Sequence, residues 1–381
     1  EMGGYNENLN YHTQAVGRAG TGYINDFSQH LSVIRDDITI ADDSFPISIG
    51  MIYDSASYNK LKSLNYTNMM AYGNKWVPNY LRAFISNNEN SITYYTETGY
   101  TIDFFRTTDN EGNVTFTELH SNIFGNHGYE LEYHSEVDEN NACYTVNRPD
   151  GYIEHVDVNG LLVSVTNPIN PDKSISIIYD DLYRIDHIID GNGYSYDYNY
   201  CNSTNLLLTI IRCCANCAHQ NQISNEHIHG VNSCPHMPSE DSYEDISTAP
   251  IQRTTCELHP EVNFTYDNNK NLKSVIYPDN KYITYEYDAD GNMISIRNID
   301  GYQVVYEYEE IIKDNNGKET LVVTNKVKKA TEQTKNGETY ENGNFITYEK
   351  LNTYQTKLMD ATGDYEIYHF GIYGNQNRRC V

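Results

Sequence analysis

Residues 285–301 read Tyr-Glu-Tyr-Asp-Ala-Asp-Gly-Asn-Met-Ile-Ser-Ile-Arg-Asn-Ile-Asp-Gly, and residues 264–280 read Phe-Thr-Tyr-Asp-Asn-Asn-Lys-Asn-Leu-Lys-Ser-Val-Ile-Tyr-Pro-Asp-Asn. Offset by about 21 residues, the two stretches carry the same chemistry position by position, the mark of an internal repeat. Phe264, Tyr285 and Tyr306 align, as do Tyr266, Tyr287 and Tyr308. So do Asn271 with Asn292, Leu272 with Met293, Val275 with Ile296 and Asp279 with Asp300. Within a unit, apolar or aromatic residues alternate with polar ones, as in a half-buried strand. The alternation breaks at Asp-Gly or Asp-Asn, where a tight turn needs positive φ, and then resumes. Each unit is therefore a β-hairpin. Repetition predicts an all-β chain whose antiparallel sheet grows hairpin by hairpin.

The same grammar extends in both directions. Upstream, Tyr179-Asp180 leads to a strand over 184–189, a turn at Asp190-Gly191, and alternating Tyr194, Tyr196, Tyr198 and Tyr200. A looser copy begins at Asp150-Gly151 and runs through 156–161. Downstream, 313–318 reads as a charged turn and 320–329 as a strand, with 327–334 open to a helical turn. The idiom then returns at 337–340, 343–348 and 360–370. Little helix is expected anywhere. The chain holds 36 Tyr against 10 Phe and 1 Trp, at a mean hydropathy of -0.66. Tyrosine forms strands while keeping a polar tip, which suits a sheet with one wet face or a polar lumen.

These residues resemble the YD repeats of RHS and teneurin-like proteins, in which Tyr-Asp-x-x-Gly-Asn-Leu precedes an apolar strand, Asp-Gly and a Tyr-x-Tyr-Asp strand. The best matches are 287–296 and 266–275, with a weaker likeness over 144–211. The stretches 17–27, 46–53 and 72–76 look like the segment that precedes the repeats in bacterial RHS proteins. The resemblance implies a β-ribbon that spirals into a hollow shell, often around a C-terminal toxin or effector released by self-cleavage. The cleavage motif of that family, near Asp-Pro-x-Gly-Leu, is absent from this sequence. Residues 1–140 are expected to form a β region before the repeats, and 141–381 the repeat body.

The period also exposes an insertion. Residues 205–211 match 271–276, and the returning strand 262–266 matches 283–287, so 212–261 replaces a hairpin turn. A loop of that length is usually functional or disordered. It holds Cys213, Cys214, Cys217, Cys234 and Cys256 with His219, His227, His229, His236 and His259. Cys214, Cys217, Cys234 and His236 form the leading four-ligand set for a structural zinc ion, with the others as alternates. Disulfides compete, because Cys201 at the loop's base makes the local cysteine count even. A bystander loop is the third reading.

Elsewhere the residues favour bland readings. Asp288-Ala289-Asp290-Gly291-Asn292 begins like a calcium loop but lacks the distal carboxylate, so it reads as a turn. Asp36-Asp37, Asp42-Asp43 and Asp180-Asp181 read as solvated turns, and Cys143 as a small buried residue. There is no nucleophile elbow, P-loop or dinucleotide fingerprint, so no enzymatic role is expected. A formal net charge of -27 disfavours nucleic acid and anionic membranes as partners. No run of about 18 apolar residues is present to span a bilayer as a helix. The start, Glu1-Met2-Gly3-Gly4, is not a signal peptide, and the chain reads as a fragment of a longer exported polypeptide. The resulting expectation is a secreted or cell-surface scaffold that encloses or presents an effector, or contacts other parts of its own polypeptide. The alternatives are a carbohydrate-binding adhesin, with tyrosines stacked on glycans, and self-association through open sheet edges.

Overall fold

The computed structural model describes residues 4–380 apart from 7–8, 42–44, 57–68, 83, 89, 113, 120–126, 135, 138–141, 214–260, 316–317 and 372–375. It holds three antiparallel sheets, and in each of them every strand pairs with its neighbour in the chain. The first sheet has five strands: Tyr11–Ala15, Thr21–Asn25, Leu31–Ile40, Ile47–Asp54 and Trp76–Pro78. The second has four: Phe84–Asn88, Ser91–Tyr95, Thr101–Thr108 and Val114–Glu118. The third runs unbroken through 18 strands, from Glu130–Tyr133 to Gln376–Cys380. The repeats thus fold as an all-β meander, as their alternation requires. Among the described residues, helix is confined to short 3-10 turns at Gly17–Ala19 and Met69–Tyr72. Residues 327–334, open to a helical turn by composition, lie inside the long strand Lys318–Asn336. There Val327 and Ala330 are buried against the core, and cross-strand pairing overrides local propensity.

The repeat geometry explains the Tyr-Asp dipeptide. The register slips at the same place in successive hairpins: between Ile178 and Tyr179, Asn199 and Tyr200, Thr265 and Tyr266, Glu286 and Tyr287, and Glu307 and Tyr308. A bulge leaves one residue's backbone groups out of the ladder, and the following Asp takes up freed amides. Asp288 Oδ1 accepts from the N–H groups of Asp290 (2.9 Å) and Asn292 (2.8 Å). Asp267 does the same for Asn269 and Asn271, and Asp180 for Leu182 and Arg184. The residue three places after the Asp adopts positive φ, which is free of strain for Gly291 (73°) but not for its counterparts Lys270 (65°) and Tyr183 (60°). The tyrosine at the register slip then stitches one hairpin to the one before. Tyr179, Tyr200 and Tyr308 donate to the carbonyls of Leu162, Ile185 and Met293, each at 2.7 Å.

One face of the large sheet is apolar and carries the aromatic rows, with Tyr196, Tyr198, Phe264, Tyr285, Tyr306 and Tyr308 buried. The first sheet lies on that face, and buried residues of all three sheets join in one hydrophobic cluster. Tyr133, Tyr183, Tyr282, Tyr354 and Tyr365 are the tyrosines that stand well exposed among the described residues. Packing therefore accounts for most of the tyrosine-rich pattern.

Candidate functional site

The feature that sets this chain's working surface is the seam between the first sheet and the repeats. In the strand Leu31–Ile40, alternation brings Leu31, Val33 and Arg35 inward. Arg35 arrives on an apolar face with its side chain fully buried, as is that of Asp37. A register shift between Asp36 and Ile38 turns Asp37 inward as well. The two form a bidentate pair, Nε to Oδ1 at 2.8 Å and Nη2 to Oδ2 at 3.0 Å. Arg35 Nη1 donates to the Tyr285 hydroxyl at 3.0 Å, and that hydroxyl donates to the Ala19 carbonyl at 2.7 Å. The guanidinium also lies 4.9 Å from the centre of the Trp76 ring, within cation–π range. Burial opposes the guanidinium's charge, but Asp37 outweighs it and holds Arg35 well above its ordinary pKa. Asp37 is thus the buried half of an ion pair and not the solvated turn residue its Asp-Asp context suggests.

A second row of contacts comes from the stretch 53–76. The Tyr53 hydroxyl accepts from Met293 N–H (3.0 Å) and donates to the Gly291 carbonyl (3.2 Å). The Tyr72 hydroxyl accepts from Ile185 N–H (3.1 Å) and lies 3.0 Å from the Tyr200 hydroxyl. Asn74 N–H donates to the Lys270 carbonyl at 3.1 Å, and Trp76 Nε1–H to the Tyr287 hydroxyl at 2.8 Å. These partners sit at the Tyr-Asp turns, where the bulges leave backbone groups outside the ladder. The segment satisfies those groups from the apolar side, where water would otherwise be needed. Gly73, at φ +95°, makes the approach possible, since a Cβ there would stand 3.2 Å from Leu272 N and from the Tyr266 ring. Burial pushes the phenols of Tyr72 and Tyr285 up to about 12, so they remain donors across the physiological range.

A third polar cluster lies where the three sheets meet. Glu154 is fully buried and pairs with Arg82 and, at 3.0 Å, with Arg148; the Tyr94 hydroxyl donates to it. Arg148 also reaches Glu97 at 3.1 Å. An adjoining cavity of about 280 Å³ is lined by Phe45, Asn79, Tyr80, Arg82, Arg148 and Tyr152, among others. The positive and negative groups are matched, and the cluster works as a polar joint between sheets.

The residues singled out as metal ligands fall differently. Cys214, Cys217, His219, His227, His229, Cys234, His236, Cys256 and His259 lie outside the described residues. Cys213 ends the strand Leu207–Cys213, half-buried, and its Sγ–H donates to Asp197 Oδ2 at 3.3 Å. Cys201 is buried and disulfide-bonded. Cys143 is free and half-buried, where full burial was expected, because it sits at a strand end. Ile211 pairs with Glu261, so the inserted stretch leaves and rejoins the sheet at the end of one hairpin. Among the described residues no three His, Cys, Asp or Glu side chains gather to hold a metal. Sequence reading missed Arg35, Tyr53 and Trp76 as the seam's organisers. The available signal was an arginine at an inward position of an otherwise apolar alternation.

Comparison with known proteins gives one family match: residues 266–308 fit the RHS Repeat model. No curated protein matches. Among solved structures, the chain resembles the TcdB2–TccC3–Cdc42 complex at 11% identity and a TM-score of 0.27, over 94% of this chain and 21% of that one. It resembles the Photorhabdus luminescens Tc holotoxin pore, with a TccC3 substitution, at 11% identity and 0.26, over 93% and 21%. A porin-like protein from Bacteroides uniformis follows at 10% and 0.18, over 69% and 96%. The chain spans about a fifth of the length of the two toxin-complex chains. At such TM-scores the assignment rests on the matched segment and on the Tyr-Asp bulge that recurs upstream of it at Tyr179. By those residues the chain carries RHS/YD repeats.

Proposed function

We propose that this chain is a non-enzymatic wall segment of an exported RHS shell, with its N-terminal sheet lining the inner face, and that the complete polypeptide encloses or presents an effector. The observation that carries the reading is the unbroken 18-strand meander with one apolar, tyrosine-rich face already covered from within the chain. A meander has no natural stopping point, so further repeats extend the same wall. The buried ionisable groups of the seam are paired with one another, Arg35 with Asp37 and Arg148 with Glu154. Among the described residues no helix is long and apolar enough to cross a membrane, which says nothing about strands.

The test is to express the natural polypeptide that carries this sequence and image it by electron microscopy, with limited proteolysis in parallel. A hollow particle holding a protease-protected segment is the expected result. A solid or open particle whose remaining segments are all digested would refute enclosure. Reproducible glycan-array binding lost on replacing Tyr282 and Tyr365 would instead establish the adhesin reading, and concentration-dependent polymers in light scattering would establish self-assembly.

A further inference from the structure

We infer that Lys75 and Asn292 form an intramolecular isopeptide bond, assisted by Asp288, that fastens the N-terminal sheet covalently to the repeat sheet. The Lys75 ammonium nitrogen lies 2.9 Å from Asn292 Oδ1, in contact with the side-chain carbonyl it would attack. Asn292 is 2% exposed. Its Nδ2–H donates to Asp288 Oδ2 at 2.9 Å, so a carboxylate stands on the nitrogen that would leave. Both reactants are held. Lys75 adopts φ 63°, and its carbonyl accepts from Asp54 N–H at 2.9 Å. The residues flanking Asn292 are clamped by the Tyr53 hydroxyl through Gly291 O and Met293 N. Fixed geometry of this kind replaces the entropy a bimolecular aminolysis would lose. Burial also holds the Lys75 ammonium below its ordinary pKa, although Asp288, Asp290 and Asp54 oppose the shift, and this raises the share of free amine.

In the reaction, the neutral Nζ attacks Cγ of Asn292 and the Nζ–Cγ bond forms. Asp288 Oδ2 takes the proton shed by Nζ and delivers it to Nδ2. The Cγ–Nδ2 bond breaks, ammonia departs, and a secondary amide remains. No oxidant or cofactor enters the balance. The preceding repeat supplies an internal control. Asn271 is equally buried and donates to Asp267 Oδ2 at 2.9 Å, but among the described residues no lysine nitrogen is placed on it. The Asn-Asp pair is thus part of the repeat's own turn, and the lysine is what this chain adds.

Intact-mass and tryptic peptide mass spectrometry of the purified full chain test the proposal, alongside Lys75→Arg, which keeps the positive charge and a donor. The expected result is a wild-type mass short by one ammonia and a branched peptide joining Lys75 to Asn292. Both should be lost in Lys75→Arg, while its β circular-dichroism spectrum is retained. A wild-type chain at full sequence mass with Lys75 open to acylation overturns the proposal. So does an ammonia deficit that persists in Lys75→Arg with no branched peptide, since that loss would come from another asparagine.

Discussion

Replacing Arg35 with Met tests the seam at its most costly point. The variant leaves Asp37 with no cation in a site where both side chains are fully buried. Removing one partner of a buried pair typically costs about 3–5 kcal/mol, and loss of the guanidinium over Trp76 adds about 0.5–2 kcal/mol. A destabilisation of about 3.5–7 kcal/mol is therefore expected near neutral pH. The chain's single Trp sits at the seam, so Trp76 fluorescence during guanidinium denaturation reads the loss directly. The pH dependence has a defined sign. Burial pushes the Asp37 carboxyl up, and with Arg35 gone nothing opposes it as strongly. A native state that binds the extra proton loses stability as pH rises above the unfolded carboxyl's pKa of about 4. The gap between Arg35→Met and wild type should therefore be smallest in acid and widen toward neutrality. The double variant Arg35→Met, Asp37→Leu should recover most of the loss, because the unpaired charge is removed. A shift under about 1 kcal/mol in the single variant, or a double variant no better than the single, would refute the reasoning.

Other residues give sharper local tests. Tyr53→Phe strips the hydroxyl from Gly291 O and Met293 N and should cost about 1–3 kcal/mol by the same unfolding assay, whereas Tyr354→Phe at the surface should cost nearly nothing. Gly73→Ala meets both positive φ and the Leu272 backbone, so its unfolding free energy should fall by more than about 1 kcal/mol, where a strain-free glycine replacement would raise it. Lys270→Gly relaxes a strained position and should leave stability unchanged or raise it by up to about 1 kcal/mol in the same melts. For the cysteines, alkylation followed by peptide mapping should label Cys143 without reductant and Cys201 only with it.

The sequence by itself determined the repeat, its all-β character and the inward row of each strand. These follow from contacts between near neighbours: Asp288 caps amides two and four residues on, and Tyr308 reaches back only to Met293. Interactions that short leave a period in the chain, and alternation marks which side is apolar. What covers that apolar side was decided only by the tertiary structure. Arg35 and Tyr285 are 250 positions apart, Tyr53 and Met293 240, Tyr72 and Ile185 113. The inward position of Arg35 in an apolar alternation hints at burial, but nothing local to it names its counter-charge, and Asp36-Asp37 looks like any acidic turn. The assignment became visible once the five-strand sheet lay on the repeats, because a buried charge is stable only where its counter-charge and hydrogen-bond partners converge. That convergence is a property of how the sheets pack and not of the order of the residues.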